Sequence, residues 1–246
     1  MNTNNIKTIL KRELYGYFAT PVAYVFIVIF LLLNGIFTFN LGAFYERGQA
    51  DLEPFFNFHP WLYLFLIPAI AMRLWSEERK SGTIELLMTL PVSIMEAVLG
   101  KFLAAWCFSA VALALTFPVW ISVNMLGDPD NTVIIAGYIG SLLMAGCFLA
   151  VGSCISAATK SQVIAFVISV MICFLFILSG FPLVLDYFQG WAPQAFVDAI
   201  ASLSFLTHFE SIKKGVIDIR DLIFYTVFIS FWLYANVVII ENRKAS

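Results

Sequence analysis

Long apolar runs alternate along the chain with short clusters that hold most of its charge. Six runs stand out, over residues 21–40, 60–75, 94–125, 133–158, 162–185 and 222–240. A bilayer core about 30 Å thick needs about 20 apolar residues, each rising about 1.5 Å in a helix. The second run is short and interrupted by Pro68; the third is too long for one straight crossing and contains Pro118, where a kink is expected. The pattern predicts an all-α membrane protein with six transmembrane helices, a single domain over 1–246.

Composition supports the pattern. Of 246 residues, 61% are hydrophobic and 12% charged, with mean hydropathy +0.89. A soluble domain carries roughly 45–50% apolar and about 25% charged residues. The surplus must face lipid rather than water. This excludes a soluble enzyme, a disordered chain and a secreted disulfide scaffold. A net charge of -2 argues against a polybasic nucleic-acid binder, so no nucleic-acid partner is expected. Cys107, Cys147, Cys154 and Cys173 lie in apolar runs without metal-ligand spacing and read as small apolar side chains. His59 and His208 stand apart from one another, so no metal site is expected.

The first apolar run starts near residue 21 and exceeds the roughly 7–15 residues of a signal-peptide core, so no cleaved leader is expected. Six crossings put both ends on one side. That side would hold 10 Lys and Arg residues and the other 4, which places both termini in the cytoplasm.

Five features invite a functional reading. Before the first span, Ile6, Ile9, Leu10, Leu14, Tyr17 and Phe18 recur at helical spacing, with Lys7, Lys11, Arg12 and Glu13 between them. This predicts an amphipathic helix over 1–20 in the inner interface, serving as an anchor or as a lever. The link after span two holds the densest charge in the chain: Arg73, Glu77, Glu78, Arg79, Lys80 and Glu85. A short helix over 76–91, with Thr83 as a cap, Ile84, Leu87 and Met88 on one face and Pro91 at its end, would suit docking of a soluble partner. The alternative is a solvated loop. The apolar cores are read as free of Asp, Glu, Lys, Arg and His, with Lys101 counted on the cytoplasmic side. That disfavours an ion-coupled transporter and a selective channel. The fourth span is rich in Gly, Ala and Ser, which suits close packing within the subunit or between subunits. The stretch 186–220, with Phe188, Trp191, Phe205 and Phe209, is too apolar for a plain loop and predicts short interfacial helices on the outer side. No nucleotide-binding loop is present, and no clustered catalytic set points to a membrane enzyme.

The run from Pro68 through Met72-Arg73-Leu74, then Glu77-Glu78-Arg79-Lys80-Ser81-Gly82-Thr83-Ile84-Glu85-Leu86-Leu87 and Leu90-Pro91, resembles the signature of ABC-2-type permeases. Gly100-Lys101 fits the same pattern. His208-Phe209-Glu210-Ser211 and Lys214-Gly215-Val216-Ile217-Asp218, with Arg220-Asp221, are similar to the gliding-motility (GldF-type) branch. The resemblance implies the membrane subunit of an ATP-binding-cassette exporter. It implies that 1–20 is a connecting helix involving Lys11, Arg12 and Glu13. It also implies a cytoplasmic coupling helix over 76–91 seated on an ATPase through Glu77, Glu78, Arg79, Gly82, Thr83, Glu85, Leu86 and Leu87, with Glu85 the polar anchor. ATP and Mg would be bound by an ABC ATPase dimer and by no residue of this chain. A second permease subunit, the same chain or one with an outer domain, would complete the transporter, with spans two and five lining any pathway. The uncharged cores suit lipid-like or apolar cargo. They equally suit a subunit that moves no cargo and passes mechanical work to an outer partner.

One prediction follows from the charge pattern. Glu85→Lys leaves membrane insertion unchanged and lowers ATPase co-purification by about tenfold, the equivalent of ~1.4 kcal/mol; equal yield of the complex would remove Glu85 from the contact.

Overall fold

The computed structural model describes residues 2–89, 91–189 and 192–242, and the described residues are helical with short connections. Helix α1 (Thr3–Phe18) starts at Asn2, whose side chain accepts from the Asn4 amide at 3.0 Å. Pro21, free of any amide hydrogen, opens α2 (Pro21–Ile36), which runs into a π-helical turn at Phe37–Leu41. The short α3 (Glu53–Asn57) leads to α4 (His59–Ala71). Helices α5 (Arg73–Ser81) and α6 (Thr83–Thr89) follow. Ser93 and Glu96 form a reciprocal capping box that starts α7 (Ile94–Ala114). Then come α8 (Phe117–Leu126), α9 (Asn131–Ala158), α10 (Gln162–Leu178), α11 (Pro182–Gln189), α12 (Gln194–Ser202), α13 (Phe205–Ile212) and α14 (Ile219–Asn242).

Among the described residues, four stretches are long and apolar enough to cross a membrane: Pro21–Leu41, Ile94–Leu126, Asn131–Ala158 and Ile219–Asn242. The third expected span bends where Pro118 predicts. The chain breaks at Leu115 and Thr116, and the Thr116 hydroxyl takes up the Leu113 carbonyl at 2.6 Å. Two expected spans are shorter than their apolar runs. The run over 60–75 ends as a helix at Ala71, giving 13 residues or about 20 Å. Met72 keeps helical angles, but Ser156 of α9 interrupts the ladder there: Trp75 N and Ser76 N donate to the Ser156 hydroxyl, which donates to the Met72 carbonyl. The run over 162–185 ends at Leu178, since Pro182 cannot continue the ladder and opens α11 instead.

Helix α9 is the axis of the bundle, packing against α4, α5, α7, α10, α13 and α14. Its residues are apolar on every side, which suits a helix surrounded by others. The small residues of this span serve packing inside the subunit. A side-chain carbon at Gly137 would meet the Phe56 ring at 2.5 Å, and one at Gly152 would collide with Ala71 of α4. The opposite surfaces are apolar and open: Val22, Val25 and Leu32 on α2, and Val163, Met171 and Leu175 on α10, are exposed. Such surfaces are stable against hydrocarbon and costly against water.

The contact at Gly152 sets a test. Gly152→Val forces α9 away from α4, and overpacking of this kind costs about 1–3 kcal/mol. The expected result is a lower melting temperature in detergent; an unchanged melt would mean that the two helices are free to separate.

Candidate functional site

The charged cluster of the sequence is divided between two helices. The stretch read as one helix over 76–91 turns at Gly82, which adopts the left-handed conformation (φ 74°) and so separates α5 from α6. Gly82, Thr83 and Glu85 are exposed. The side chains of Leu86, Leu87 and Met88, like Leu90, lie outside the described residues. Thr83 shares a hydroxyl contact of 2.9 Å with Ser81. Glu77 meets Arg73 one turn away at 3.7 Å, an exposed pair worth little. Arg79 donates to the Ala157 carbonyl at the end of α9, which, with the Ser156 contacts, fixes α5 against the bundle.

Glu78 turns the other way, to Lys101 of α7. Lys101 is only 3% exposed, and its ammonium lies 2.7 Å from Glu78 Oε1 and 3.3 Å from Glu13 Oε1 of α1. It also sits 5.2 Å from the ring centre of Trp75, which is fully buried. One lysine thus joins Glu13 of the N-terminal helix to Glu78 of the link. Lys11 is exposed, and Arg12 pairs with its neighbour Glu13 at 2.7 Å.

Helix α1 reaches this point by climbing along α7. Its first turn is tied to Glu96, which accepts from the Asn2 amide and from Asn5 Nδ2 at 3.0 Å. Ile9 then packs where Gly100 leaves room: a Cβ there would lie 2.7 Å from Ile9 Cγ2. Near the end of α1, Tyr17 stacks on Phe108 at 5.3 Å. The apolar edge of α1 expected to lie in the interface is therefore turned toward α7, with Ile6 and Ile9 buried.

Burial works to raise the Glu13 carboxyl. The Lys101 charge and the Arg12 bond outweigh it and hold the group below the ordinary 4.5 of a glutamate. The physical content is that the charged carboxylate, rather than the neutral acid, belongs in the folded joint.

The cores are not free of ionisable groups, as the apolar pattern suggested. Glu96 and Lys101 lie in the first turns of Ile94–Leu126, and His59 opens α4 fully buried. His59 Nε2 lies 3.0 Å from Asn34 Nδ2, and Nδ1 lies 2.7 Å from the Ser141 hydroxyl. The amide nitrogen can only donate, so the ring accepts there and carries its one proton on Nδ1. The network ties α2, α4 and α9 together with neutral groups. The stretch 186–220, expected to be interfacial, forms α12 and α13 with α11 before them, and Phe205 and Phe209 are buried. The side chain of Phe188, and Trp191, lie outside the described residues, as do Arg243 and Lys244. Among the described residues no group of three or more His, Cys, Asp and Glu side chains is placed to hold a metal ion.

Lys101, Trp75, Ser156 and Glu96 were not among the site residues read from the sequence. Gly100-Lys101 was visible as a motif, and Ser93-x-x-Glu96 has the form of a capping box. Their partners were invisible, because Glu13 precedes Lys101 by 88 positions.

The geometry defines a helical protein with apolar helices long enough to cross a membrane, in which α1, α5 and α7 meet on a buried ion pair. The chain matches the ABC-2 family transporter protein description over residues 49–239, more than three quarters of its length, and belongs to that family. It is accordingly a permease subunit of an ABC transporter, a multi-pass membrane protein that works with an ABC ATPase. The match includes Glu78 and Lys101 and begins after α1 and α2. A search of curated proteins finds no match to the chain.

The joint has a signature in acid. Glu13 is depressed in the folded state, so its stabilisation is complete above the unfolded value of 4.5 and is lost as pH falls through the lower folded value. Thermal unfolding in detergent followed downward from about pH 6, near which an ordinary carboxylate is fully ionised, shows falling stability in the unaltered protein and a shallower fall in Glu13→Gln. Identical curves would exclude a contribution from this carboxylate.

Proposed function

We propose that this chain is the membrane half of an exporter in which a separate ATPase dimer, binding ATP and Mg, moves α5 and α6, and the Lys101 joint carries that motion to α1 and α7. The observation that carries this reading is one buried ammonium bonded to carboxylates of both α1 and α5. Removing a lysine from water is costly unless opposite charges meet it. A link that served only as a solvated loop would have no need of such a bond. Because both carboxylates bind the same cation, displacement of α5 changes what α1 can bind.

In this reading α6 is the surface seated on the ATPase, with Glu85 exposed for contact and Gly82 the flexible corner behind it. The family resemblance supports the two names, coupling helix for α5–α6 and connecting helix for α1. Both termini and the joint face the cytoplasm of the inner membrane, on the distribution of Lys and Arg. Six crossings follow if α4, extended by α5, and α10 cross beside the four longer stretches. A second permease subunit completes the pathway. Neutral interior groups, such as the Asn34–His59–Ser141 network, suit a lipid-like or apolar cargo better than ions.

The test is reconstitution of the chain with its ATPase in lipid vesicles. Lys101→Met is expected to keep the ATPase bound and to lower cargo-dependent ATP turnover by about tenfold, equivalent to a coupling energy of ~1.4 kcal/mol. Full turnover in the variant, or no ATPase recovered under mild cross-linking, would overturn the reading. Turnover that depends on Lys101 but ignores every apolar cargo offered would identify a subunit that transmits work to an outer partner instead of exporting.

A further inference from the structure

Helix α9 has 28 residues and so is about 40 Å long. Its tail meets α5 beside the Lys101 joint. Its head, at the opposite end, borders a cavity that has no part in the joint. The cavity holds about 200 Å³. Sites that enclose a drug-sized ligand measure roughly 300–1,000 Å³, so this one admits a small group or the end of a larger molecule. Leu52, Phe56 and Ile134, all buried, give it apolar walls. Asp51, Glu53, Asp130 and Lys213 supply its charged side chains.

The bonds these groups already make decide what is left for a ligand. The Lys213 side chain is only 6% exposed, and its ammonium donates to Asn57 Oδ1 and, at 2.6 Å, to Glu210 Oε1. An ammonium has three N–H groups. Among the described residues no acceptor takes the third. Arg47 binds Glu53 at 2.7 Å and lies 3.6 Å from Asp51 Oδ2, so one guanidinium serves both carboxylates. Asp130 spends Oδ1 on the Thr132 and Val133 amides that start α9, and its Oδ2 has no partner among the described residues. The cavity thus keeps in reserve one N–H of a buried cation and one oxygen of an anion at its rim.

That pair selects a ligand carrying both charges. A lone anion would face the lining carboxylates, and a lone cation would face the Lys213 ammonium. The position selects a lipid headgroup. The stretch Ile94–Leu126 ends just before Pro129 of the lining, and Asn131–Ala158 begins directly after Asp130. The stretch Pro21–Leu41 leads into the loop that holds Asp51. The ends of membrane-length helices lie at the depth of the headgroups. The two loops touch where a Cβ on Gly127 would lie 2.5 Å from Ala50 Cβ. Across that contact, Phe44, Tyr45 and Leu126 line a second depression of about 350 Å³, with Tyr45 and Leu126 exposed for the apolar part of the same ligand.

We propose that the cavity at the head of α9 binds a phosphoethanolamine group, with its phosphate on the spare Lys213 N–H and its ammonium on Asp130 Oδ2. Phosphatidylethanolamine in the adjoining leaflet and free phosphoethanolamine share this chemistry, and the apolar depression beside the cavity favours the lipid. The site stands on these residues and not on the exporter reading: a headgroup held here is bound whether or not the chain exports anything.

The experiment titrates the full chain in detergent with dioleoyl phosphatidylethanolamine and with dioleoyl phosphatidylcholine, counting bound lipid by native mass spectrometry. Choline keeps the phosphate and the positive charge but has no N–H to give Asp130. The unaltered protein is expected to hold the ethanolamine lipid about tenfold more tightly. Asp130→Asn keeps the helix cap through its amide oxygen but turns an N–H toward the ligand ammonium. It is expected to abolish the preference at an unchanged melting temperature. Lys213→Met is expected to weaken both lipids, since both carry the phosphate. Equal retention of the two lipids by the unaltered protein, an undiminished preference in Asp130→Asn, or undiminished binding of both lipids in Lys213→Met would overturn the proposal. A second arm separates the two sources. Free phosphoethanolamine that raises the melting temperature while the ethanolamine lipid is held no better than the choline lipid would replace the lipid with a soluble ligand; retention of the lipid alone assigns the site to the leaflet.

Discussion

An ammonium withdrawn from water must find opposite charge within a few ångströms, and one end of this molecule is built around that requirement at Lys101. The lysine occupies a nearly closed position on α7. Glu13 reaches it because α1 is held along α7 by Glu96 at one end and by aromatic stacking on Phe108 at the other. Glu78 reaches it because Ser156 and the Ala157 carbonyl fix α5 to the end of α9. Moving either acid leaves the lysine with less compensation than burial demands. The two helices are thus energetically dependent on each other, although few direct contacts join them.

This dependence gives the family assignment a mechanical content. A permease that receives work from an ATPase needs a surface that can be pushed and a stiff route inward. In the proposed reading Thr83 and Glu85 of α6, exposed beyond the left-handed Gly82, offer that surface. In the same reading α5 is the stiff piece, since its backbone and its Arg79 are bonded to the end of α9 and its Glu78 to α7. The charge pattern of the link and the mechanics of the link therefore separate at one residue.

Deeper in the bundle the polar chemistry changes character. The Asn34, His59 and Ser141 side chains form a neutral network among three helices. Hydrogen bonds of this kind satisfy each polar group without placing a net charge in hydrocarbon. At the far end of the bundle an acidic side chain appears again, where Asp221 joins His208 of α13 to α14. Charge at both ends with neutral contacts between them is the arrangement expected when only the ends approach water.

Much of this plan was legible in the chain itself. Apolar length predicted the long helices, Pro118 the break in the third, and the spacing of Ile6 and Ile9 the apolar edge of α1, though not its burial against α7. These features are local: periodicity and proline report what a segment does with its own backbone. The shortening of the second and fifth runs was not legible, because a serine hydroxyl from α9 interrupts the helix ladder at Met72, and Pro182 restarts as a separate helix what composition alone allowed to continue. Nor was the joint. Lys101 looked like one more cytoplasmic cation, and Glu78 one more charge in a polar link. Only tertiary structure brought them to 2.7 Å and added Glu13. The pattern along a helix states which face is apolar but not which residue of a distant helix will meet it. The free energy of a buried charge depends on distances that exist only after the helices have packed.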